Sequence, residues 1–372
     1  MKLKIALLPG DGIGPEVTAQ AVKCLQAVEE TFGHQFTFTR ALVGASAISA
    51  KGDPLPEETL ELCKNSDAVL FGAIGDPKYD KDPDAKIRPE QGLLRLRKAL
   101  DLFSNIRPVK IFPTIIKKST LKEKVIKGTD FIIYRELTGG IYFGEKKLSD
   151  DGTKASDLCE YSEHEISRIA HLAFKAAKSR RKKLTLVDKA NVLESSRLWR
   201  KVVSKIGESY PEVELEFLFV DNAAMQLILN PKQFDIILSD NMFGDILSDV
   251  GGVIGGSIGL LPSASVGENN AMFEPIHGSY PQAAGKNIAN PIASILSAAM
   301  LLNHFGLDEE SQSVVNAIYK SMKKNIVTPD LDVKSKYSTD EVGEFIAGNI
   351  VDSDNFQSIN KENIGLGKST II

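Results

Sequence analysis

Short runs of aliphatic and β-branched residues alternate with longer stretches of helical periodicity through most of the chain. The pattern predicts buried strands at residues 4–8, 68–71, 184–188 and 234–238, and helices at residues 15–32, 93–103 and 245–250. Strands that alternate with helices are typical of parallel sheets with crossover helices. Residues 130–135 and 141–144 flank the sequence LTGG and predict a β-hairpin. We therefore expect an α/β protein whose sheet is mixed rather than purely parallel.

Composition restricts the class of protein further. The chain has 372 residues, which favours two domains at about 150 residues each. Its 45 basic and 49 acidic residues give a net charge of −4, which argues against a nucleic-acid partner. No apolar run approaches the roughly 18 residues of a membrane span, and the apolar stretch at residues 5–8 is too short for a signal peptide. Three cysteines without metal-ligand spacing favour a reduced, cytoplasmic protein.

Three segments resemble known motifs without completing them. GDGIGPE at residues 10–16 follows a strand and opens a helix, but its glycine spacing is not that of a dinucleotide fingerprint. GLGKST at residues 365–370 resembles the end of a P-loop, yet Glu362 stands where the first glycine belongs. The basic run at residues 179–183 closes a predicted helix, where cations favour the helix dipole. We interpret that run as a solvated helix end and predict neither a conventional Rossmann site nor a P-loop.

A pair of carboxylates one helical turn apart is the first group that suggests chemistry. Asp245 and Asp249 in NMFGDILSD share one face of a predicted helix and repel each other unless water or a cation lies between them. Carboxylate oxygens suit Mg²⁺ or Mn²⁺. Asp221 follows an apolar run and is a candidate third ligand. An exposed acidic helix face is the alternative explanation.

A second group is basic. Arg97 lies on a helix with Glu90 on the same face, Arg107 follows in NIRP, and Arg135 in YRELTGG. Arginines next to proline or glycine-rich turns at strand ends can bind a carboxylate through two hydrogen bonds. Each arginine alone is more often a salt-bridge residue, and phosphate is the competing ligand. Lys189 in VDKANV and Tyr142 in GGIYFG can transfer protons if their surroundings assist.

At this point the chain resembles a known family. The blocks LLPGDGIGPEV, RPEQGLLRLRKAL, NIRP, RELTGGIYFG, VDKANVL, NMFGDILSD, GSIGLLPSAS, EPIHGS and GKNIANP occur in the order typical of the isocitrate/isopropylmalate dehydrogenase family, metal-dependent β-decarboxylating dehydrogenases. The resemblance covers roughly residues 3–348. It implies a two-domain α/β fold with mixed sheets flanked by helices, not a conventional Rossmann domain. The implied domains are a discontinuous cofactor-binding domain at residues 1–102 and 257–352 and a substrate, metal and dimerisation domain at 103–256, followed by a surface tail at 353–372.

The resemblance also implies roles for individual residues. Arg97, Arg107 and Arg135 match the arginines that hold the malate carboxylates, and Tyr142 and Lys189 match the acid/base pair. Asp221, Asp245 and Asp249 match the Mg²⁺ or Mn²⁺ site, with Asp221 also near the substrate. Lys189 and Asp221 would reach across from the second subunit of a homodimer. The residues that match the NAD site are Glu90, Asn191, His277, Gly278, Gln282, Lys286 and Asn290.

The expected substrate within the family depends on one helix. Leu93 and Leu94, with Val192, match a pocket for an isopropyl group, and two leucines cannot solvate a third carboxylate. We therefore expect oxidation and decarboxylation of 3-isopropylmalate in leucine biosynthesis, with homoisocitrate or tartrate as alternative substrates. A binding-only regulatory protein is the alternative from another class, and the intact proton-transfer and acidic residues argue against it.

The expected cofactor depends on one departure from the family. Gln282 stands where the NAD-dependent members usually have an aspartate that bonds the adenosine ribose. An amide can keep a hydrogen bond, but it cannot repel the 2′-phosphate of NADP. We therefore expect NAD⁺ to be preferred by a smaller margin than an aspartate would give.

Overall fold

The computed structural model describes residues 1–81 and 86–351. The strands are β1 (Lys2–Gly10), β2 (Gln35–Arg40), β3 (Ala68–Ala73), β4 (Ser104–Lys110), β5 (Asp130–Glu136), β6 (Lys146–Leu148), β7 (Ala155–Asp157), β8 (Lys183–Asp188), β9 (Glu214–Phe219), β10 (Ile236–Ser239), β11 (Pro262–Val266) and β12 (Ala271–Pro275). The predicted tail at residues 353–372, with its GLGKST segment, lies outside the described residues.

The helices of the described ranges carry several of the candidate residues. They are α1 (Gly14–Phe32), α2 (Ala45–Lys51), α3 (Glu57–Lys64), α4 (Pro77–Asp80), α5 (Pro89–Ala99), α6 (Glu123–Ile126), α7 (Glu163–Ser179), α8 (Glu194–Gly207), α9 (Val220–Leu229), α10 (Asn241–Ile254), α11 (Ile292–His304), α12 (Asp308–Lys323) and α13 (Thr339–Ala347). Short 3₁₀ turns lie at Pro113–Lys118, Gly140–Tyr142, Pro231–Gln233, Ile258–Leu260 and Pro281–Ala283.

The described strands form one mixed sheet of ten in the order β2-β1-β3-β12-β11-β4-β5-β10-β8-β9, and β6 pairs with β7 in a separate hairpin. The five strands from residues 1–102 and 257–351 form one half of this sheet, and the five from residues 103–256 form the other. The neighbouring pairs β12-β11, β11-β4 and β4-β5 are antiparallel, and the other six pairs of neighbours in this sheet are parallel. The two halves of the sheet therefore meet at the antiparallel pair of β11 and β4. The domain boundaries at residues 102 and 256 remain a prediction.

The hydrophobic core explains the strongest predicted elements. Every residue of β3 is buried, which accounts for its continuous apolar sequence. Helix α11 is buried along almost its whole length and packs against α1, α12, β11 and β12. A helix that is apolar all round belongs inside a protein of this size. None of the helices in the described ranges is both long and apolar enough to cross a membrane.

The glycines of GDGIGPE serve close packing. Gly10 has φ +70°, and a Cβ there would lie 1.9 Å from the Ala73 carbonyl oxygen. Gly12 has φ +57°, and its Cβ would lie 2.0 Å from the Ser279 carbonyl oxygen. Only glycine combines this backbone conformation with this proximity. The turn between β1 and α1 therefore fixes the backbone at Ser279, in the segment that the sequence analysis assigned to the cofactor.

Some predicted elements were wrong in extent or in kind. The helix predicted at residues 93–103 is α5, which ends at Ala99 because Asp101 adopts the left-handed conformation (φ +48°). The strand predicted at residues 141–144 is instead a 3₁₀ turn, in which the amide of Gly144 donates to the carbonyl of Gly140 at 2.9 Å. The hairpin of this region lies at β6 and β7. The helix predicted at residues 245–250 is longer, since α10 begins at Asn241.

The basic run at residues 179–183 begins at the last residue of α7, and Ser179, Arg181 and Lys182 are exposed as predicted, but Arg180 is not a solvated side chain. Arg180 donates from Nε to Asp235 at 2.8 Å and from Nη2 to Asp130 at 2.7 Å. Asp235 is buried, and its carboxylate also accepts the amide of Arg181 at 2.8 Å. Arg180 therefore neutralises a buried acid that ties the end of α7 to the sheet, which sequence alone could not pair with it.

Candidate active site

One face of the central antiparallel strands carries a row of buried polar side chains. Asn105 and Arg107 are two residues apart on β4 and so share a face. Asn105 lies opposite Arg135 on β5 and opposite Ser265 on β11. Its amide donates to the Ser265 hydroxyl at 3.0 Å. Glu274 on β12 extends the row, since the Ser265 hydroxyl donates to its carboxylate at 3.3 Å. The strand register therefore brings Arg107 and Arg135 together, which arginines that bind one substrate need.

Arg107 and Arg135 are both directed at Asp245 on α10. Helix α10 begins where the Asp240 side chain accepts the amide of Phe243 at 2.8 Å, which places Asp245 one turn further on. Arg135 donates to Asp245, and Nη2 of Arg107 lies 3.4 Å from the same oxygen. Burial lowers the pKa of both guanidinium groups, and for Arg135 the charge of Arg107 lowers it further. Two buried cations this close favour an anionic ligand, and carboxylate is a group that guanidinium binds through two hydrogen bonds.

Tyr142 joins this cluster from the 3₁₀ turn at Gly140–Tyr142. Its hydroxyl donates to Oδ2 of Asp245 at 3.1 Å, and the guanidinium of Arg135 lies 5.6 Å from its ring centroid. Partial burial, and then the nearby charge of Asp245, raise the pKa of Tyr142. The phenol is therefore protonated at neutral pH and can donate a proton to a reacting atom beside Asp245.

Lys189 and Asp221 form a separate pair. The ammonium of Lys189, at the end of β8, donates to Oδ1 of Asp221 at 2.8 Å, and Asp221 lies in the first turn of α9. This hydrogen bond lowers the pKa of Asp221. No hydrogen bond or ion pair within residues 1–81 and 86–351 joins these two residues to Asp245, Tyr142 or the arginines. Within one chain the expected acid/base partners are therefore not brought together.

The third arginine lines a cleft of about 120 Å³ between α5 and the central strands. Helix α5 begins with Pro89 in its first turn, and Nη2 of Arg97 reaches Glu274 at 2.8 Å. Leu93, one turn earlier on α5, lines the same cleft with Arg97 and Arg107. The cleft thus combines cationic groups with an apolar side chain.

The remaining residues of the expected apolar pocket and of the nicotinamide site are more scattered. Leu94 is half-buried on α5, whereas Val192 is 61% exposed on the loop after β8 and does not line the cleft. Glu90 is exposed at the start of α5, where a Cβ on Gly75 would lie 3.1 Å from its carboxylate. Asn191 is exposed on the same loop as Val192. Of these five expected residues, only Leu93 lines the cleft of about 120 Å³ within the described part of the chain.

A second cleft, of about 380 Å³, lies beside the first. His277 and Gly278 line both clefts, and Asn290 lines the second. Nδ1 of His277 lies 3.0 Å from the Gly278 carbonyl, its Nε2 is buried without a partner, and burial lowers its pKa. Gln282 and Lys286 are exposed on the adjacent loop and do not line the cleft. The volume is in the range of small-ligand pockets, which is about 300–1,000 Å³.

The carboxylates fit part of a divalent metal site. Asp245 and Asp249 lie one turn apart on α10, and their oxygens are the donors that Mg²⁺ and Mn²⁺ prefer. Within the described residues, no three acidic, histidine or cysteine side chains converge into a metal-binding group. Asp221 lies with Lys189 instead. A complete set of three carboxylates therefore needs a donor from outside this cluster.

Several polar residues of the site were not predicted from the sequence, including Asn105 and Ser265 of the buried row. Glu274 pairs with Arg97, Asn241 accepts two hydrogen bonds from Arg135 at 2.7 and 3.0 Å, and Ser248 accepts one from Arg107 at 2.6 Å. Glu274 was detectable as an acid within a buried run of five residues. Asn241 and Ser248 gave no signal apart from their position on the helix that carries Asp245.

Comparisons with known proteins identify the class. The model of the isocitrate/isopropylmalate dehydrogenase family matches residues 4–346. The 3-isopropylmalate dehydrogenase of Bacteroides fragilis is 54% identical over 348 residues, which cover 93% of this chain and 98% of the relative. That of Aquifex aeolicus is 51% identical over 355 residues, covering 94% and 97%.

Solved structures agree with these sequences. The isocitrate dehydrogenase of Methylococcus capsulatus superposes with a TM-score of 0.85 at 32% identity, covering 93% of this chain and 99% of that one. A β-decarboxylating dehydrogenase of Thermococcus kodakarensis superposes with a TM-score of 0.75 at 36% identity, covering 93% and 96%. The chain belongs to the isocitrate/isopropylmalate dehydrogenase family. The predicted family and mixed α/β fold class are thereby confirmed, and the chain is an oxidoreductase.

Proposed function

We propose that this chain oxidises and decarboxylates (2R,3S)-3-isopropylmalate to 4-methyl-2-oxopentanoate with reduction of NAD⁺, a step of leucine biosynthesis. The observation that carries the proposal is the cleft in which Leu93 lies beside Arg97 and Arg107. Such a cleft suits a substrate with carboxylates and an apolar branch, and it disfavours a third carboxylate at Leu93. The names of the Bacteroides and Aquifex relatives support the same substrate.

The arginines would hold the substrate in one orientation. Arg107 and Arg135 are buried and fixed by Ser248 and Asn241, so they lose little freedom when they bind a carboxylate. Arg97 would bind the other end of the malate. A substrate held at both ends presents C2 to the nicotinamide, which is the geometry that hydride transfer requires.

Asp245 and Asp249, with Asp221 from a second subunit, would hold Mg²⁺ or Mn²⁺. A bound ion would polarise the C2 hydroxyl and the adjoining carboxylate, and bound NAD⁺ would accept the hydride. Lys189 would take the hydroxyl proton, directly or through water. After loss of CO₂ from C3, Tyr142 would supply a proton to that carbon, for which its raised pKa keeps it protonated.

The cofactor would lie along the two adjoining clefts. The adenosine half would occupy the cleft of about 380 Å³ beside Asn290, and the nicotinamide would approach Leu93 and Glu90. His277 and Gly278 line both clefts and would contact the cofactor between its two ends. The exposed Gln282 and Lys286 would approach the adenosine ribose from the adjacent loop, and Asn191 would come from the second subunit.

A homodimer would complete the site. Helices α9 and α10 carry apolar side chains that are more than half exposed, namely Met225, Leu229, Ile246 and Val253. Such a surface favours burial against a second copy. A twofold contact through these helices would bring the partner's Lys189 and Asp221 towards Tyr142 and Asp245. The three free cysteines support a cytoplasmic setting for this dimer.

A substrate panel tests the proposed activity. NADH formation is followed by absorbance with 3-isopropylmalate, isocitrate, homoisocitrate, tartrate and malate, each with Mg²⁺, Mn²⁺ or excess EDTA. We expect 3-isopropylmalate to give the highest kcat/KM and EDTA to abolish turnover. Faster turnover of isocitrate or homoisocitrate would contradict the substrate, and full activity in EDTA with no metal in the protein would contradict the metal.

Mixing two inactive variants tests whether the sites are shared. Tyr142→Phe and Lys189→Ala would each inactivate both sites of their own homodimers. In a heterodimer, one site would receive both changes and the other would be intact. We expect about a quarter of wild-type activity to return after co-refolding. Random pairing makes about half of the dimers heterodimers, and each heterodimer has one intact site of two. Absence of recovery in a mixture shown to contain heterodimers would mean that each chain completes its own site.

A further inference from the structure

The turn at Tyr280 has an unusual backbone for its residue type. Tyr280 has φ +38° and ψ +63°, the left-handed conformation in which the Cβ of an L-residue crowds the backbone. The other non-glycine residues with positive φ in the described ranges are Asp101, Lys182, Asn287 and Asn325, none of them aromatic. Strained residues of this kind persist where the surrounding structure imposes them and are concentrated at functional sites.

The surrounding contacts explain why the strain persists. The carbonyl of Tyr280 accepts the amide of Ala283 at 3.0 Å, and the carbonyl of Ser279 accepts the amide of Ile13 at 2.8 Å. Gly12 packs so closely on Ser279 that no Cβ fits between them. The backbone at 280 is thus fixed in a conformation that glycine would adopt without cost, but the chain has a large aromatic side chain there.

The side chain of Tyr280 lies at the mouth of the cleft of about 380 Å³. Tyr280 is 55% exposed and lines this cleft with Ile13, Ile288 and Asn290. It belongs to none of the hydrophobic clusters of the protein interior within the described ranges. An exposed aromatic ring beside two isoleucines offers a flat apolar surface to a ligand rather than to the core.

We infer that Tyr280 is a binding residue for the adenosine half of the dinucleotide, its ring packing on the adenine or its ribose and closing one side of the cleft. The inference rests on the proposed use of NAD⁺ and adds a contact that the strained turn positions. Aromatic rings bind bases through stacking that tolerates loss of the tyrosine hydroxyl but not of the ring. Tyr280 is therefore a determinant of affinity for the adenosine end, independent of the nicotinamide.

Calorimetric titration of the dimer with ADP-ribose and, separately, with nicotinamide mononucleotide tests this role without turnover. Tyr280→Ala is expected to weaken ADP-ribose binding about tenfold, and Tyr280→Phe to keep it within about twofold of wild type. Nicotinamide mononucleotide should bind all three proteins equally. In steady state, KM for NAD⁺ should rise in Tyr280→Ala while KM for 3-isopropylmalate is unchanged.

Tyr280→Gly separates binding from folding, because it removes the ring and the strain together. We expect ADP-ribose affinity to fall as in Tyr280→Ala, while Tm stays within about 2 °C of wild type or rises, since strain relief offsets the greater entropy of the unfolded chain. Lys182→Gly is the matched control, a relief of positive φ in an exposed turn after α7. It should leave ADP-ribose affinity unchanged.

Two results would overturn the inference. Wild-type affinity for ADP-ribose in both Tyr280→Ala and Tyr280→Gly would show that the ring makes no contact with adenosine. A parallel loss of affinity and Tm in Tyr280→Gly would show that the ring only supports the loop. If the wild type itself binds neither ADP-ribose nor NAD⁺, the proposed function fails along with this inference, and that outcome is distinct from the first two.

Discussion

Leu93→Ala probes the interaction that selects the substrate. Leu93 is half-buried on α5 and lines the cleft with Arg97 and Arg107. Burial of the three isopropyl carbons is worth about 0.8 kcal/mol each, or about 2.4 kcal/mol if all are fully buried. If Leu93 and Leu94 share that burial equally with Val192 of the partner subunit, the loss of Leu93 removes about 0.8 kcal/mol, which is roughly a fourfold change in kcat/KM.

The assay is a cycle of two enzymes and two substrates. We would measure kcat/KM of wild type and Leu93→Ala for 3-isopropylmalate and for malate, which lacks the isopropyl group. The ratio of the two kcat/KM values should fall about fourfold in the variant, because only 3-isopropylmalate loses a contact. Using the ratio removes any loss of activity that affects both substrates equally.

Leu62→Ala is the matched control for a general packing defect. Leu62 and Leu93 both pack against the same hydrophobic cluster, but Leu62 does not line the cleft. Both variants should lower Tm, and only Leu93→Ala should change the substrate ratio. An unchanged ratio in Leu93→Ala would refute the conclusion that this side chain contacts the isopropyl group.

Three further predictions concern the proton donor, the cofactor and pH. Tyr142→Phe should slow overall turnover about 100-fold or more while NADH still forms in the first turnover, because the lost hydroxyl acts after hydride transfer; stopped-flow absorbance separates the two steps. Gln282→Asp should increase the preference for NAD⁺ over NADP⁺ about tenfold at low salt, because an exposed carboxylate repels the 2′-phosphate. His277→Gln should reduce the loss of stability between pH 7.5 and 5.5, measured by urea unfolding. Burial lowers the pKa of His277, so below its ordinary value near 6.5 the unfolded chain binds a proton that the folded protein excludes.

Each of these has a result that contradicts it. Unchanged turnover in Tyr142→Phe would assign the proton to another group. An unaltered ratio of kcat/KM for the two cofactors in Gln282→Asp would move the discrimination outside this loop. For pH, His164→Gln on the exposed face of α7 is the control and should lose stability as wild type does; an identical loss in His277→Gln would show that His277 does not contribute.

The sequence by itself determined the fold class and most of the chemistry-bearing residues. Strand β3 is a continuous apolar run, β8 is rich in aliphatic and β-branched residues, and α1 has a proline in its first turn, so local patterns predicted all three elements. The i, i+4 spacing of Asp245 and Asp249 is sufficient to place both carboxylates on one helix face. Both features are local, because backbone geometry alone sets the period of about 3.6 residues in a helix and of about 2 in a strand.

Only the tertiary structure decided which of these residues meet. Arg97 and Glu274 are 177 positions apart, and they meet because α5 and β12 both line the cleft of about 120 Å³. Asn105 lies opposite both Arg135 and Ser265 because antiparallel strands from distant segments pair in one register. A strand pattern shows which side chains share a face but not which strand becomes the neighbour, since that choice depends on packing of the whole sheet.

The limits of local pattern are clearest at two other positions. Lys189 and Asp221 meet each other but not Tyr142, which no spacing in the sequence indicated. Tyr280 adopts a left-handed backbone against the preference of its residue type, because the contacts of Ser279 and Ala283 fix the turn around it. Sequence determines which groups are available and which faces they share, whereas long-range packing determines their partners and imposes strain that local preference would avoid.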